Sequence, residues 1–184
     1  MRHTTRLDRQ HTALLVIDIQ DRVHAVMRYR ETVETNTLKL IRGCQLLHVP
    51  IFLTEQYPKG LGHTIFSIRN ALQTALPLQK MSFSCCGNDE LMQALQEKSV
   101  RQVALVGIET HVCVLQTALD LLAGGYQVHI ARDAVSSRHE LDHQTALLRL
   151  QQAGAIVTTA EAALFELLAR ADAAEFKEVS KLIK

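Results

Sequence analysis

Gln102–Val114 reads QVALVGIETHVCV, and the reading of this stretch decides the fold. Val103, Ala104, Leu105 and Val106 form an unbroken apolar run with β-branched members. That is the pattern of a strand covered on both faces. Gly107 ends it, and from Val112 the apolar positions fall at helical spacing, with Val112, Leu115, Leu119 and Leu122 in one stripe. Cys113 is therefore expected in the first turn of a helix, at the carboxyl end of a strand. Open α/β sheets bind their ligands at that edge. The unpaired N–H groups and positive dipole end of the helix favour a thiolate there.

Similar runs lie on either side. Ala13–Asp18 (ALLVID) reads as a first strand ending on an aspartate, Ile51–Thr54 as a second and Leu78–Phe83 as a third. Gln127–Ala131 and Ala155–Thr158 supply a fifth and a sixth. Between them come helical patterns over Glu31–His48, around Ile65, Ile68 and Leu72, and from Asn88 or Asp89 (either able to cap) through Leu91, Met92 and Leu95. Another covers His139–Ala153, with Leu141, Thr145, Leu148 and Gln152 roughly in line, and one or two more end the chain from Ala160 to Ile183. Strands alternating with helices predict a parallel sheet covered by helices on both faces, an α/β fold. Right-handed crossovers put every strand's carboxyl end on one edge.

The 184 residues, undivided by linker or repeat, predict a single domain over 1–184 that buries about 70% of its unfolded surface. With 47% hydrophobic residues, 21% charged residues and a net charge of +1, composition points to neither nucleic acid nor a membrane surface. No apolar run reaches the roughly 20 residues of a membrane span, and MRHTTRLDRQHT lacks the apolar core of a signal peptide. Cys44, Cys85, Cys86 and Cys113 have neither metal-finger spacing nor the density of a disulfide scaffold. They read as reduced thiols of a cytoplasmic protein.

Topology brings Asp18, Lys80 and Cys113 to or near one edge. Each has a duller reading alone: Asp18 as a helix cap, Lys80 as a lysine whose head snorkels to water, Cys113 as a buried packing residue. Together they make a site. An ammonium from Lys80 stabilises a thiolate, and a carboxylate from Asp18 accepts the thiol proton and later delivers it to a leaving group. Two backbone N–H groups at the Gly107–Cys113 turn are placed to hold an oxyanion.

LLVIDIQD, QKMSFSC and GIETHVCVLQTALDLL, in this order, resemble the three signatures of the isochorismatase-like cysteine hydrolases over about Thr12 to Thr159. TEQYPKGLGHT and VHIARDAVSSR look closest to the isochorismatase-domain-containing branch. The resemblance implies a three-layer α/β/α sandwich around a six-stranded parallel sheet. It implies Cys113 as nucleophile, Asp18 as general base and acid, and Lys80 as electrostatic partner of both. It further implies a cis peptide between Ile108 and Glu109, with the N–H groups of Glu109 and Cys113 as oxyanion donors, and an amide substrate cleaved through a thioester.

Relatives that hydrolyse nicotinamide carry an Asp-x-His metal site after the second strand. Here that place reads Thr54-Glu55-Gln56-Tyr57, and Glu55 with His63 falls short of a ligand set, so no metal or other cofactor is expected. Gln20, Tyr57 and Glu109 are expected pocket walls. Glu109 either faces the pocket or turns away to bind backbone. Arg138 and Asp133 are expected to tie the loop after the fifth strand, and Cys85 and Cys86 to be small packing residues. A strand-end aspartate nucleophile needs a second aspartate where Gln20 stands. A dinucleotide-binding turn needs glycines that IDIQDRVHAV lacks. The remaining rivals are a catalytically silent scaffold on this fold and a metal-assisted amidase. The expected partners are a small-molecule substrate and further copies of this chain.

Overall fold

In the computed structural model, which describes residues 3–73 and 75–184, the apolar runs become one parallel sheet of six strands. The strands are β1 Thr12–Ile17, β2 Ile51–Gln56, β3 Leu78–Lys80, β4 Gln102–Ile108, β5 Gln127–Ser136 and β6 Ile156–Thr158. Their order is β3-β2-β1-β4-β5-β6. The order reverses between β1 and β4, so a crevice opens beyond the carboxyl ends of those two strands. Asp18 directly follows one of them and Cys113 follows the other.

The helices are α1 Asp21–His24, α2 Arg30–Leu46, α3 Pro58–Leu61, α4 Phe66–Ala71, α5 Asp89–Glu97, α6 Leu115–Ala123, α7 Glu140–Gln152, α8 Ala160–Leu168 and α9 Phe176–Ile183. β1 shows how they are layered. Leu14 and Val16 point into a cluster with Leu40, Ile41 and Cys44 of α2, Ile68 of α4, Leu164 of α8 and Val179 of α9. Ala13, Leu15 and Ile17 point the other way, into a cluster with Leu91 and Leu95 of α5, Leu121 of α6 and Leu150 of α7. The period-2 alternation of a strand thus feeds two cores, which is why β1 is apolar at every position. The fold is the three-layer α/β/α arrangement expected.

Several local readings change. β3 stops at Lys80 rather than Phe83. β5 runs on to Ser136, because its register against β4 shifts between Leu105 and Gly107 and the strand continues past the polar Arg132-Asp133. On α7 the expected core stripe faces solvent, with Leu141 78% and Leu148 58% exposed. The buried face carries His143, Ala146, Leu147 and Leu150 instead. Leucines lie on both faces of this helix, so their spacing alone cannot select one. Asn88 is the cap of α5, its side chain accepting from the Leu91 N–H at 2.9 Å.

Gly107 pairs with Ile17 at the end of β1, where the two backbones leave no room for a side chain. Its φ is +124°, and a Cβ there would stand 2.1 Å from the Ile17 carbonyl oxygen. Only glycine meets both conditions.

His129 sits in β5 with no exposed surface, and Nδ1 is unpartnered. Burial pulls its pKa down to about 4 from an ordinary 6.5. The unfolded chain therefore binds a proton that the folded one refuses. Its contribution to stability is complete above about pH 6.5 and is lost as pH falls through 4. A series of urea midpoints should show about 3 kcal/mol disappearing over that window, and His129→Leu should flatten this limb.

Candidate active site

Each expected catalytic side chain reaches the crevice for a local reason. β1 ends at Ile17, and the next residue, Asp18, adopts the left-handed region (φ 51°), lifting its carboxylate off the strand axis. β3 delivers Lys80 from the sheet edge two strands away. Cys113 lies within a wide π-helical turn, Thr110–Val114, that precedes α6. It is therefore not in the first turn of a regular α-helix as expected. The peptide bond between Ile108 and Glu109 is cis.

Asp18 and Lys80 form a buried ion pair, with Nζ 2.6 Å from Oδ2. The second carboxylate oxygen accepts from the Thr54 hydroxyl at 2.8 Å. The ammonium also donates to Gln56 Oε1 (2.9 Å) and to the carbonyls of Phe83 (3.1 Å) and Ser82 (3.2 Å). Burial alone would lower the pKa of Lys80, but Asp18 and the neighbouring thiols outweigh it and the net shift is upward. The amine is a permanent cation.

Cys113 is 7% exposed. Burial raises the pKa of its thiol, the Asp18 carboxylate raises it further, and Lys80 pulls the other way without prevailing. The helix end and Lys80 were expected to favour a thiolate, and burial and Asp18 oppose them here. The cation is already paired with Asp18 at 2.6 Å, and the thiol lies beside that pair.

The sequence reading missed three groups at the site. Thr54 and Gln56, two apart on β2, project to one face and hold Asp18 and Lys80. The signal was present as polar residues at period 2 in a buried strand. Cys85, expected only to pack, lies 3.7 Å from Thr54 Oγ1. Its pKa is pushed to about 12 by burial and by Asp18, with Lys80 opposing.

The expected pocket walls separate. Gln20 is fully buried, and its amide holds backbone: Gln56 N–H (2.7 Å), Gln56 O (3.0 Å) and Gly62 O (2.6 Å). Glu109 turns to Arg138, accepting from its Nε at 3.0 Å and from its backbone N–H at 3.3 Å. Tyr57 is half-exposed beside a cavity of about 320 Å³, lined also by Pro58, Lys59, Gln79, Lys80 and Met81. Glu55 accepts from the Thr64 N–H (2.7 Å) and hydroxyl (2.8 Å), and its other oxygen is 3.2 Å from His63 Nδ1. Asp133 accepts from the Ala160 N–H at 2.8 Å and so ties β5 to α8. A hollow of about 790 Å³ lined by Arg9, His48, Pro50 and Glu175 lies at the amino edge of the sheet, away from this chemistry. Volume alone does not locate the site.

A doubly wound parallel sheet with its crevice at the β1/β4 switch point defines an α/β/α protein of the open-sheet class, and a thiol, a carboxylate and an ammonium lie there. The isochorismatase domain matches residues 12–162, and the chain belongs to that family. It is 40% identical over 178 residues to isochorismatase family protein 1B of Dictyostelium discoideum, covering 94% of this chain and 86% of that protein. Among solved structures, one described as the MAR1 ribonuclease of Caenorhabditis elegans superposes with a TM-score of 0.90 at 41% identity, covering 97% of this chain and 92% of that one. The YcaC gene product of Escherichia coli, described as an octameric hydrolase of unknown specificity, shares the fold with a TM-score of 0.90 at 23% identity, covering 99% and 92%.

Removing one member of the buried pair leaves the other charge unpaired. Lys80→Met should cost about 3–5 kcal/mol in urea denaturation at pH 7. The double variant Asp18→Asn/Lys80→Met should lose less than the sum of the two single changes.

Proposed function

We propose that this chain is a metal-independent hydrolase that cleaves a C–N bond of a small amide through a Cys113 thioester. The observation that carries this reading is the buried Lys80–Asp18 pair at 2.6 Å set against the buried Cys113 thiol. As the sulfur attacks the carbonyl carbon, its proton passes to Asp18. The C=O electron pair moves onto oxygen, which the backbone N–H groups of Glu109 and Cys113 receive. Collapse expels the amine, which takes the proton from Asp18 and leaves a thioester. Asp18 then draws a proton from water as it attacks. The acid departs, and the sulfur recovers its proton. Lys80 keeps Asp18 oriented and charged between steps, and Tyr57 walls the substrate.

A silent scaffold has no use for this arrangement, because an ion pair is costly to bury when packing is the only purpose. A phosphodiester, the substrate class in the worm relative's description, would need cations facing its phosphate. The buried cation here is already spent on Asp18. Further copies of this chain are the expected partners, as in the octamer described for the E. coli protein. Four unpaired thiols fit a reducing cytoplasm.

A panel of small amides, with single-stranded RNA alongside, should yield amine or ammonia above background with the wild type. Cys113→Ala should lower kcat/KM by about a thousandfold or more, and Asp18→Asn by at least about a hundredfold. Activity surviving in Cys113→Ala would remove the covalent route. RNA cleavage with every amide untouched would replace the substrate class.

A further inference from the structure

The turn that carries Cys113 is anchored by side chains the chemistry above does not use. Thr110, its first residue, is buried, and its hydroxyl oxygen lies 2.9 Å from Nδ1 of His143, buried on α7. The next residue, His111, places Nδ1 2.9 Å from the Ser137 hydroxyl. His143 is held in turn. Its ring meets Tyr29 edge-on, with centroids 5.8 Å apart and planes at 63°. The Tyr29 N–H donates to Ser136 Oγ at 3.2 Å, and its phenol bonds the Glu140 carboxylate, which also pairs with Arg28 at 3.0 Å. Burial lowers the pKa of His143, with Glu140 opposing and Arg132 reinforcing the shift. A neutral imidazole results, with one N–H and one lone pair, and a hydroxyl complements either.

The turn does not need His143 for apolar packing. Cys113, Val114 and Leu115 already belong to the cluster on that face of the sheet. What His143 adds is a directed bond to the residue that follows Glu109 and stands three before Cys113. The two oxyanion donors and the sulfur are all on this short stretch, and site geometry of this kind tolerates about 0.5 Å of error.

We propose that His143 is a positioning residue: through Thr110 it fixes the turn so that the Cys113 sulfur faces Asp18 and the Glu109 and Cys113 N–H groups converge. The proposal rests on the thioester reading above. It also gives α7 a function beyond covering the sheet.

The test uses the full chain as wild type, Thr110→Val, His143→Leu and His143→Asn. The modification rate of each cysteine by iodoacetamide is read peptide by peptide, together with kcat and KM on an amide from the panel. Thr110→Val and His143→Leu should slow Cys113 by about tenfold or more, with Cys86 in the same molecule unchanged. The kcat should fall in step while KM stays within about twofold. His143→Asn, whose amide reaches the position of Nδ1, should restore Cys113 to within about threefold of wild type. Thr110→Val keeps the side-chain volume, so it reports even where His143→Leu fails to fold. An unchanged Cys113 rate in Thr110→Val, or no recovery with asparagine, overturns the proposal. A wild-type Cys113 no faster than Cys44 overturns the thioester reading itself, and this proposal falls with it.

Discussion

Asp18 is a carboxylate with almost no access to water, and the neighbourhood is built around partnering it. A buried carboxylate without partners is costly. Here an ammonium at 2.6 Å and a hydroxyl at 2.8 Å take up its two oxygens. The strand order β3-β2-β1 makes this possible, because Lys80 must reach across β2 to meet a residue at the end of β1. β2 lies between them and contributes Thr54 to the anion and Gln56 to the cation. The pair is thus a consequence of sheet topology and the alternation of side chains along one strand.

The opposite wall of the crevice comes from β4, and Gly107 sets its distance. Any side chain at that position would collide with the Ile17 carbonyl, so β4 could not lie where it does against the end of β1. The residues after Gly107 turn immediately into the stretch that bears Cys113. One missing Cβ therefore governs how near a sulfur borne after β4 comes to a carboxylate borne after β1.

Much of this was legible because burial on both faces leaves a strong mark on sequence. The apolar runs of β1 and β4 admitted one reading, and the polar residues at their carboxyl ends stood out against them. Asp18, Lys80 and Cys113 were found on that contrast, and the family signatures gave them roles. What was not legible depends on tertiary choice. α7 carries leucines on two faces, and packing in the tertiary fold buries the one with Leu147 and Leu150. β5 continues beyond Ala131 only because a register shift lets it pass Arg132 and Asp133. Cys85 looks like any small residue until β2 places Thr54 beside it. Gln20 and Glu109 were expected as pocket walls, and in the fold their side chains hold other groups of the chain. Their partners, backbone for one and Arg138 for the other, depend on loops whose course no periodicity records.

The protonation state of Cys113 connects these observations. A helix end and a nearby lysine suggest a thiolate, but charge is conserved in the count: one cation serves one anion, and Asp18 is closer to it. Two anions beside a single ammonium in a buried site would leave one of them uncompensated. The resting arrangement in the proposed route is therefore carboxylate, ammonium and neutral thiol. Transfer of the thiol proton to Asp18 moves the negative charge from oxygen to sulfur without changing the total, so Lys80 neutralises the site before and after. In the thioester route proposed above, an arrangement that keeps its net charge while relocating it needs no second cation to make and break the bond to sulfur, and the water it admits is the one that hydrolyses the thioester.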